Sequence, residues 1–197
     1  MPEALNAVDT DLFMLMNGFV GTAPFIDRVA QWVVSDYLMP IALALMLIFM
    51  WFIDPDRELR VQRQLGVFVA LASMALSNSV VFILNLFYFR PRPFVDNDVS
   101  LLFYEPTDSS FPSNAVAAVF GLAFGIWGVN RRLGYFALAA AILYGLARVY
   151  AGVHYPLDIF AGAAIAAPVT YLVFRLRDLL MPILMMAIRL ARIFRLA

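Results

Sequence analysis

The chain has 197 residues and a formal net charge of zero; 63% of its residues are hydrophobic and only 14% are charged. Soluble domains are about 45–50% apolar and about 25% charged, so this composition predicts a membrane-embedded protein with one domain, residues 1–197. The zero net charge predicts no nucleic-acid partner. All 14 basic residues are arginine and there is no cysteine, which excludes lysine Schiff-base chemistry, disulfides and thiolate metal sites.

The N-terminal region changes from mixed polarity to a continuous apolar segment. Residues 5–31 contain no uncharged run of 18 residues, so we predict one or two short interfacial helices there rather than a span. Residues 36–53 are uninterrupted and apolar, and predict the first span, with Ser35 or Asp36 as its N-cap. Residues 54–63 are charged and predict a loop.

Further apolar segments predict four more spans, at residues 66–89, 112–129, 133–150 and 156–174. The tail, 175–197, combines apolar residues with Arg189, Arg192 and Arg195 at a spacing of three. This pattern predicts an amphipathic helix on the anionic inner leaflet, with a protein-docking helix as the alternative. The predicted fold class is an all-α integral membrane bundle of five or six spans, with interfacial helices at both ends.

The arginines predict the orientation of this bundle. Ten of the fourteen lie after spans one, three and five, so these loops and the C-terminus are expected in the cytoplasm. Arg90, Arg92, the helix start at Pro112 and the segment 148–158 then share the outer face. Separate polar segments therefore converge on one membrane surface.

The residues expected on this face suit phosphate chemistry. Arg92 and Arg148 carry forked donors that match phosphate oxygens, and the helix start at Ser113 adds a hydroxyl and free N–H groups. His154, the only histidine, can act as nucleophile or base, and Asp158 can accept from a ring nitrogen and fix the tautomer. A lone histidine between apolar segments is otherwise a structural residue. One histidine and no cysteine argue against zinc, so we expect neither metal nor cofactor.

The order and spacing of these residues resembles the type 2 phosphatidic acid phosphatase family over roughly residues 60–175. The resemblance rests on Arg92-Pro93, on Phe111-Pro112-Ser113, and on Arg148, His154 and Asp158 with five and three residues between them. It implies that His154 is a nucleophile that forms a phosphohistidine without a metal. It further implies that Asp158 orients His154, and that the phosphate is bound by Arg92, Arg148, Ser113 and the Asn114 N–H.

Two short stretches resemble one bacterial branch of that family, which dephosphorylates undecaprenyl pyrophosphate. They are Arg-Pro-Arg-Pro-Phe-Val at 90–95 and His-Tyr-Pro-Leu-Asp at 154–158. The family's first motif opens with lysine where this chain has Asn85, and that branch often lacks the lysine. Asn85 is either a pocket residue or a packing residue, and Arg90 is either a second phosphate ligand or a headgroup contact.

The resemblance implies a bacterial inner-membrane enzyme that hydrolyses undecaprenyl pyrophosphate to the monophosphate at the outer leaflet. Phosphatidic acid or phosphatidylglycerol phosphate is the alternative substrate. A departure concerns Ala115, which stands where the family has its general-acid histidine. Losing a general acid costs about 10²–10⁴ in rate, although a prenyl phosphate is a weak base and leaves more easily than an alkoxide.

Ala115 has two explanations. It is an introduced substitution in an intact motif, or it is natural. A natural alanine gives a weak enzyme or a non-catalytic lipid-phosphate binder or translocase. For a pyrophosphate and for a phosphate monoester alike, we expect an enzyme that is impaired or inactive because Ala115 replaces the expected histidine.

Overall fold

A computed structural model describes residues 3–194, and these form eight α-helices and no strand. The predicted all-α class is therefore confirmed. The helices are α1 Glu3–Asn17, α2 Pro24–Val34, α3 Leu38–Phe52, α4 Arg57–Phe87, α5 Pro93–Asp96, α6 Asn114–Val129, α7 Arg131–Tyr150 and α8 Pro156–Ile193.

Length and composition let some of these helices cross a bilayer. Among the described residues, α4, α7 and α8 are each long and apolar enough to do so. Helices α2 and α3 reach the same standard only as a pair, bent by 58° at the break between them. Helix α6 is apolar but has 16 residues, fewer than the roughly 20 that a span needs. The described chain thus has three candidate spans, or four with the bent pair.

Helices α4, α6, α7 and α8 form the centre of the bundle around small residues. A Cβ placed on Gly125 of α6 would lie 2.4 Å from the Cα of Ala70 in α4, so these two backbones approach each other directly. Small residues at helix crossings are typical of membrane bundles, where close packing replaces the hydrophobic effect. Large apolar side chains such as Phe87 and Phe160 remain exposed on the outside, as a lipid-facing surface requires.

Helix α4 begins nine residues earlier than predicted. Residues 57–63, which we expected to be a charged loop, form its first turns. The Asp56 carboxylate caps the helix because its Oδ1 accepts from the backbone N–H groups of Glu58 (2.9 Å) and Leu59 (3.0 Å). The following Arg, Glu and Gln side chains are good helix formers, so charge alone does not mark a loop.

Helix α3 also differs at its start. Its N-cap is Tyr37 rather than Ser35 or Asp36, although the Ser35 hydroxyl still accepts from the Leu38 N–H at 3.2 Å. Residues 5–31 contain two short helices, α1 and α2, as predicted. Neither helix qualifies as a span by itself, and α2 contributes to a candidate span only together with α3, to which it is joined at the 58° bend.

The tail is helical as predicted as far as Ile193, but its helix is not separate from the fifth predicted span. Helix α8 continues through residue 174 to Ile193 without a break, and both Pro168 and Pro182 lie inside it. Its last turns pack on the bundle, because Ile188 is fully buried and Ala191 lines a groove together with Trp51. Buried packing therefore continues the helix where hydropathy suggested an independent surface element. Arg195 lies outside the described residues.

Candidate active site

Four chain segments meet at one end of the bundle: the loop after α4, the start of α6, the end of α7 and the start of α8. Successive helices run in opposite directions, so the C-terminal ends of α4 and α7 lie beside the N-terminal ends of α6 and α8. At this point His154 Nε2 lies 3.2 Å from Arg92 Nη1 and 3.2 Å from Ser113 Oγ. His154, Arg92 and Ser113, which the sequence placed on one face, are therefore in direct contact.

The tautomer of His154 follows from its backbone contact. Its Nδ1 lies 3.0 Å from the carbonyl oxygen of Ser110, and a carbonyl can only accept a hydrogen bond. Nδ1 therefore carries the proton, and the lone pair is on Nε2, the atom between Arg92 and Ser113. The sequence analysis did not identify Ser110, because the contact is made by its main chain.

The surroundings also keep this imidazole neutral. Burial lowers the pKa of His154 from 6.5 to about 4; Asp158 opposes the shift, and the charges of Arg148 and Arg92 add to it. A neutral imidazole with its Nε2 lone pair exposed to two hydrogen-bond donors is a competent nucleophile at neutral pH.

Asp158 lies beside the ring without being its main acceptor. Its Oδ2 is 3.5 Å from Nδ1, which is long for a hydrogen bond. The same oxygen accepts from Ser110 Oγ at 2.5 Å and from the Tyr155 N–H at 2.7 Å. Asp158 therefore holds Ser110, whose carbonyl holds His154, and it adds a negative charge next to the ring.

Arg92 is fixed by several acceptors. Its Nε donates to the Asp108 carbonyl at 3.0 Å, its Nη2 to the Asp108 carboxylate at 2.8 Å, and its Nη1 to the Val153 carbonyl at 2.8 Å. Burial lowers the pKa of Arg92, and Asp108 opposes that shift. The Asp108 side chain is 61% exposed, so this carboxylate is the contact that an incoming phosphate can replace most easily.

Arg148 retains donor capacity. Its Nη1 donates to the Tyr144 hydroxyl at 2.8 Å, while its Nε is buried without a hydrogen-bond partner. A buried guanidinium with an unmatched N–H suits a phosphate oxygen, because such groups are costly to leave unpaired.

The start of α6 provides further donors. Ser113 is the N-cap but makes no side-chain capping bond, which leaves its hydroxyl directed at His154. Its own N–H donates to the Asp158 carbonyl at 3.1 Å. Asn114 and Ala115 form the first turn, whose N–H groups are at the positive end of the helix dipole. The Ala115 side chain packs against the apolar core and offers no proton to a leaving group.

Arg90, predicted as either a second phosphate ligand or a headgroup contact, and Asn85, predicted as either a pocket or a packing residue, make no hydrogen bond to His154 or Ser113 among the described residues. The Arg90 guanidinium donates to the Asp158 carboxylate (2.8 Å), to Asp9 (2.8 Å) and to Asn6 (3.0 Å), and it contacts neither Nε2 nor Ser113. Asn85 lies near the end of α4 with its side-chain oxygen buried and unpartnered, and no hydrogen bond among the described residues connects it to this site.

Helix α1 is the element that the sequence analysis left out of the site. Its buried residues are Asp9, Phe13 and Asn17, spaced by four, while Leu12 and Leu15 are exposed. Two of the three buried residues are polar while leucines face outwards, and this pattern is the signal in the sequence that indicates a helix within a membrane bundle.

Comparison with known proteins places the chain in a family. Residues 66–182 match the PAP2 superfamily, close to the predicted core of 60–175. The chain belongs to the PAP2 superfamily. It is 26% identical over 179 residues, 91% of its length, to undecaprenyl-diphosphatase BcrC of Bacillus subtilis (strain 168), of which it covers 89%. It is 32% identical over 162 residues, 80% of its length, to YbjG of Escherichia coli (strain K12), of which it covers 77%.

One solved structure has a similar fold. The crystal structure of Aquifex aeolicus LpxE superposes with a TM-score of 0.63 at 29% identity, and the alignment covers 84% of this chain and 93% of that one. The covered share of this chain is larger than residues 66–182, so the likeness is not confined to the part of the chain that matches the family.

Proposed function

We propose that this PAP2 protein hydrolyses an isoprenoid (undecaprenyl) pyrophosphate to the monophosphate through a phosphohistidine on His154. The observation that carries the proposal is the geometry of Nε2: a buried, neutral imidazole, with its tautomer set by Ser110, faces the Arg92 guanidinium and the Ser113 hydroxyl. The name of the B. subtilis relative and the stretch 90–95 support the choice of lipid.

In the first step, Nε2 attacks the terminal phosphorus. The bond from phosphorus to the bridging oxygen breaks, and the lipid monophosphate leaves with the bonding electron pair. Arg92, Arg148 and the N–H groups at the start of α6 offset the negative charge that accumulates on the transferring group. The phosphorylated imidazole stays cationic until hydrolysis, and the Asp158 carboxylate near Nδ1 stabilises that cation.

In the second step, water attacks the phosphohistidine, the N–P bond breaks, and inorganic phosphate departs from the restored neutral imidazole. No side chain at position 115 protonates the leaving group of the first step. We therefore propose that turnover is reduced by about 10²–10⁴, the range for a missing general acid, and least for a pyrophosphate, whose leaving group is a weak base.

We also propose an orientation of the bundle in the membrane. Arg57, Arg60 and Arg63 at the start of α4, like Arg131 and Arg132 at the start of α7, lie at the end of the bundle opposite to His154. By the positive-inside rule that end and the C-terminus are cytoplasmic, and the site faces the outside of a bacterial inner membrane. We also propose that α6 crosses the membrane, because neighbouring helices rather than lipid surround it and a shorter apolar stretch suffices.

Phosphate release from purified protein tests the proposal. The unchanged chain, with Ala115, and the variant Ala115→His are assayed with undecaprenyl pyrophosphate and with phosphatidic acid at equal surface concentration. We expect Ala115→His to raise kcat by about 10² or more, because a general acid contributes about 10²–10⁴, and to prefer the isoprenoid lipid. Equal rates, or a preference for the glycerolipid, would overturn the substrate assignment.

His154→Ala is the matched control for mechanism. It must abolish release in both backgrounds, and turnover by it would rule out the phosphohistidine. A second candidate function, a non-catalytic lipid-phosphate binder or translocase, is favoured by Ala115 alone. Lipid binding by the unchanged chain, combined with no gain in hydrolysis from Ala115→His, would support that function instead.

A further inference from the structure

Helix α1 presents a carboxylate to the interior of the site. Asp9 is 2% exposed, and its Oδ2 accepts from Arg90 Nη2 at 2.8 Å. Its Oδ1 accepts from the Leu157 N–H at 2.9 Å. Leu157 immediately precedes Asp158 in the first turn of α8. Asp9 is therefore connected to Asp158 both through this backbone N–H and through Arg90, which donates to the two carboxylates.

Arg90 connects the two carboxylates. Its Nη1 donates to Asp158 Oδ1 at 2.8 Å, while its Nη2 is shared between Asp9 and the amide oxygen of Asn6 at 3.0 Å. Its guanidinium lies 3.9 Å from the centre of the Tyr155 ring, which fixes its plane. With both terminal nitrogens occupied in this way, Arg90 acts on Asp158 and not on a phosphate.

We propose that Asp9 is a positioning residue, and that the buried chain Asp9–Arg90–Asp158 holds the Asp158 carboxylate in place beside His154. Helix α1 is then part of the active site rather than an accessory membrane anchor. The proposal rests on the proposed function in taking His154 as the nucleophile.

The physical argument concerns how the charge of Arg90 is divided. With Asp9 present, one guanidinium balances two buried carboxylates, so Asp158 keeps negative charge to offer to Ser110 and to the imidazole. Without the Asp9 charge, the full positive charge of Arg90 acts on Asp158 and weakens its influence on the ring. Ionic partners that are this deeply buried are screened little by water.

The alternative is a purely architectural role, in which Asp9 only connects α1 to α8 by accepting a hydrogen bond from the Leu157 N–H. The variant Asp9→Asn separates the two roles. Asparagine keeps an acceptor for Leu157 and nearly the same volume, but it removes the charge that faces Arg90. The double variant Asn6→Asp with Asp9→Asn then returns a carboxylate to the same Nη2, one helical turn away.

The single histidine of the chain provides a direct readout. With ¹⁵N-labelled histidine, the two ring nitrogens of His154 give the imidazole signals of the full-length protein in detergent without overlap. We expect Asp9→Asn to shift both signals and the double variant to bring them back towards the natural positions. Asp11→Asn, an exposed carboxylate on the same helix, is the matched control and should leave them unchanged.

Kinetics provide the second readout, in the Ala115→His background. We expect Asp9→Asn to lower kcat about 10- to 100-fold, as for partners that orient an essential histidine, with little change in KM and recovery in the double variant. Thermal unfolding of each variant verifies that it is folded.

Unchanged ¹⁵N signals in folded Asp9→Asn would overturn the positioning role whatever the activity. So would a shift that the double variant fails to reverse, because only the architectural role then remains. If no variant releases phosphate, the proposed function fails, while the ¹⁵N spectra still decide whether Asp9 acts on His154.

Discussion

Gly162 gives a sharp test of how precisely the bundle must hold His154, the proposed nucleophile. It lies in α8, one helical turn after Asp158, against the start of α6. A Cβ added here would lie 2.8 Å from the Ser113 carbonyl oxygen and 3.2 Å from the Ala117 nitrogen. Both contacts are with backbone atoms, which cannot rotate away as a side chain can. Gly162→Ala must therefore separate α6 from α8.

The size of that separation follows from the contact distances. Ordinary van der Waals contact begins at 3.4 Å, so the Ser113 carbonyl must retreat by about 0.6 Å. The shift would lengthen the 3.1 Å bond from the Ser113 N–H to the Asp158 carbonyl and move the Ser113 hydroxyl relative to His154 Nε2. Since a misplacement of about 1 Å costs roughly 10² in rate, we expect kcat to fall about tenfold.

The assay is phosphate release from a polyprenyl pyrophosphate by Gly162→Ala in the Ala115→His background, with unfolding measured in parallel. Overpacking costs about 1–3 kcal/mol and the helix propensity of alanine returns about 1 kcal/mol, so the protein should stay folded. Gly128→Ala is the control, because the three atoms nearest to its Cβ are ring atoms at the far end of the Phe174 side chain, which can move without the backbone. An unchanged kcat in Gly162→Ala, or an equal loss in Gly128→Ala, would refute the reasoning.

Three further predictions concern the site. The acid limb of kcat/KM should lie well below pH 6.5, because His154 has a pKa of about 4 in the folded protein. Since the pKa of a histidine in the unfolded chain is 6.5, the contribution of neutral His154 to folding stability is fully present above pH 6.5 and is lost as the pH drops towards 4. A pH–rate profile with a limb near 6.5 would contradict this. Asp108→Ala removes the carboxylate that is paired with Arg92 Nη2, so this nitrogen becomes available to a phosphate oxygen. Inhibition by inorganic phosphate should tighten about two- to fivefold, since exposed ion pairs contribute about 0.2–1 kcal/mol. Weaker inhibition would argue against Arg92 as a phosphate ligand. Ser110→Ala removes the 2.5 Å hydrogen bond from Ser110 Oγ to Asp158 but keeps the backbone carbonyl that faces His154 Nδ1. We expect kcat to fall about tenfold, while the ¹⁵N spectrum still shows a protonated Nδ1. Loss of that tautomer would contradict the role of the carbonyl.

Hydropathy predicted the helical segments well and their ends less well. The central helices α6 and α7 lie within two residues of the predicted segments, because an apolar run bounded by Pro112 or Asn130 leaves little freedom. The errors occurred where polarity changes without a helix break. The charged residues 57–63 continue α4 beyond its apolar part, and the tail continues α8 past Pro182.

Within the site, motif spacing predicted which residues meet but not how they are connected. Arg92, Ser113 and His154 are adjacent, as their positions at helix ends required. Arg90 is the same residue type as Arg92 and lies on the same face, so the sequence leaves it open between a phosphate ligand and a headgroup contact. Only packing distinguishes the two arginines, since Arg90 faces a carboxylate 81 residues away in α1.

The sequence by itself determined that this is a helical membrane protein of the PAP2 superfamily with one histidine at the convergence of its motifs. Those properties depend on composition, helical period and local spacing, all of which are readable along the chain. The tertiary structure alone decided which nitrogen of His154 is free, because a main-chain carbonyl of Ser110 sets it. It also decided that α1 belongs to the site, because a buried charge such as Asp9 requires a partner that lies far away in the chain.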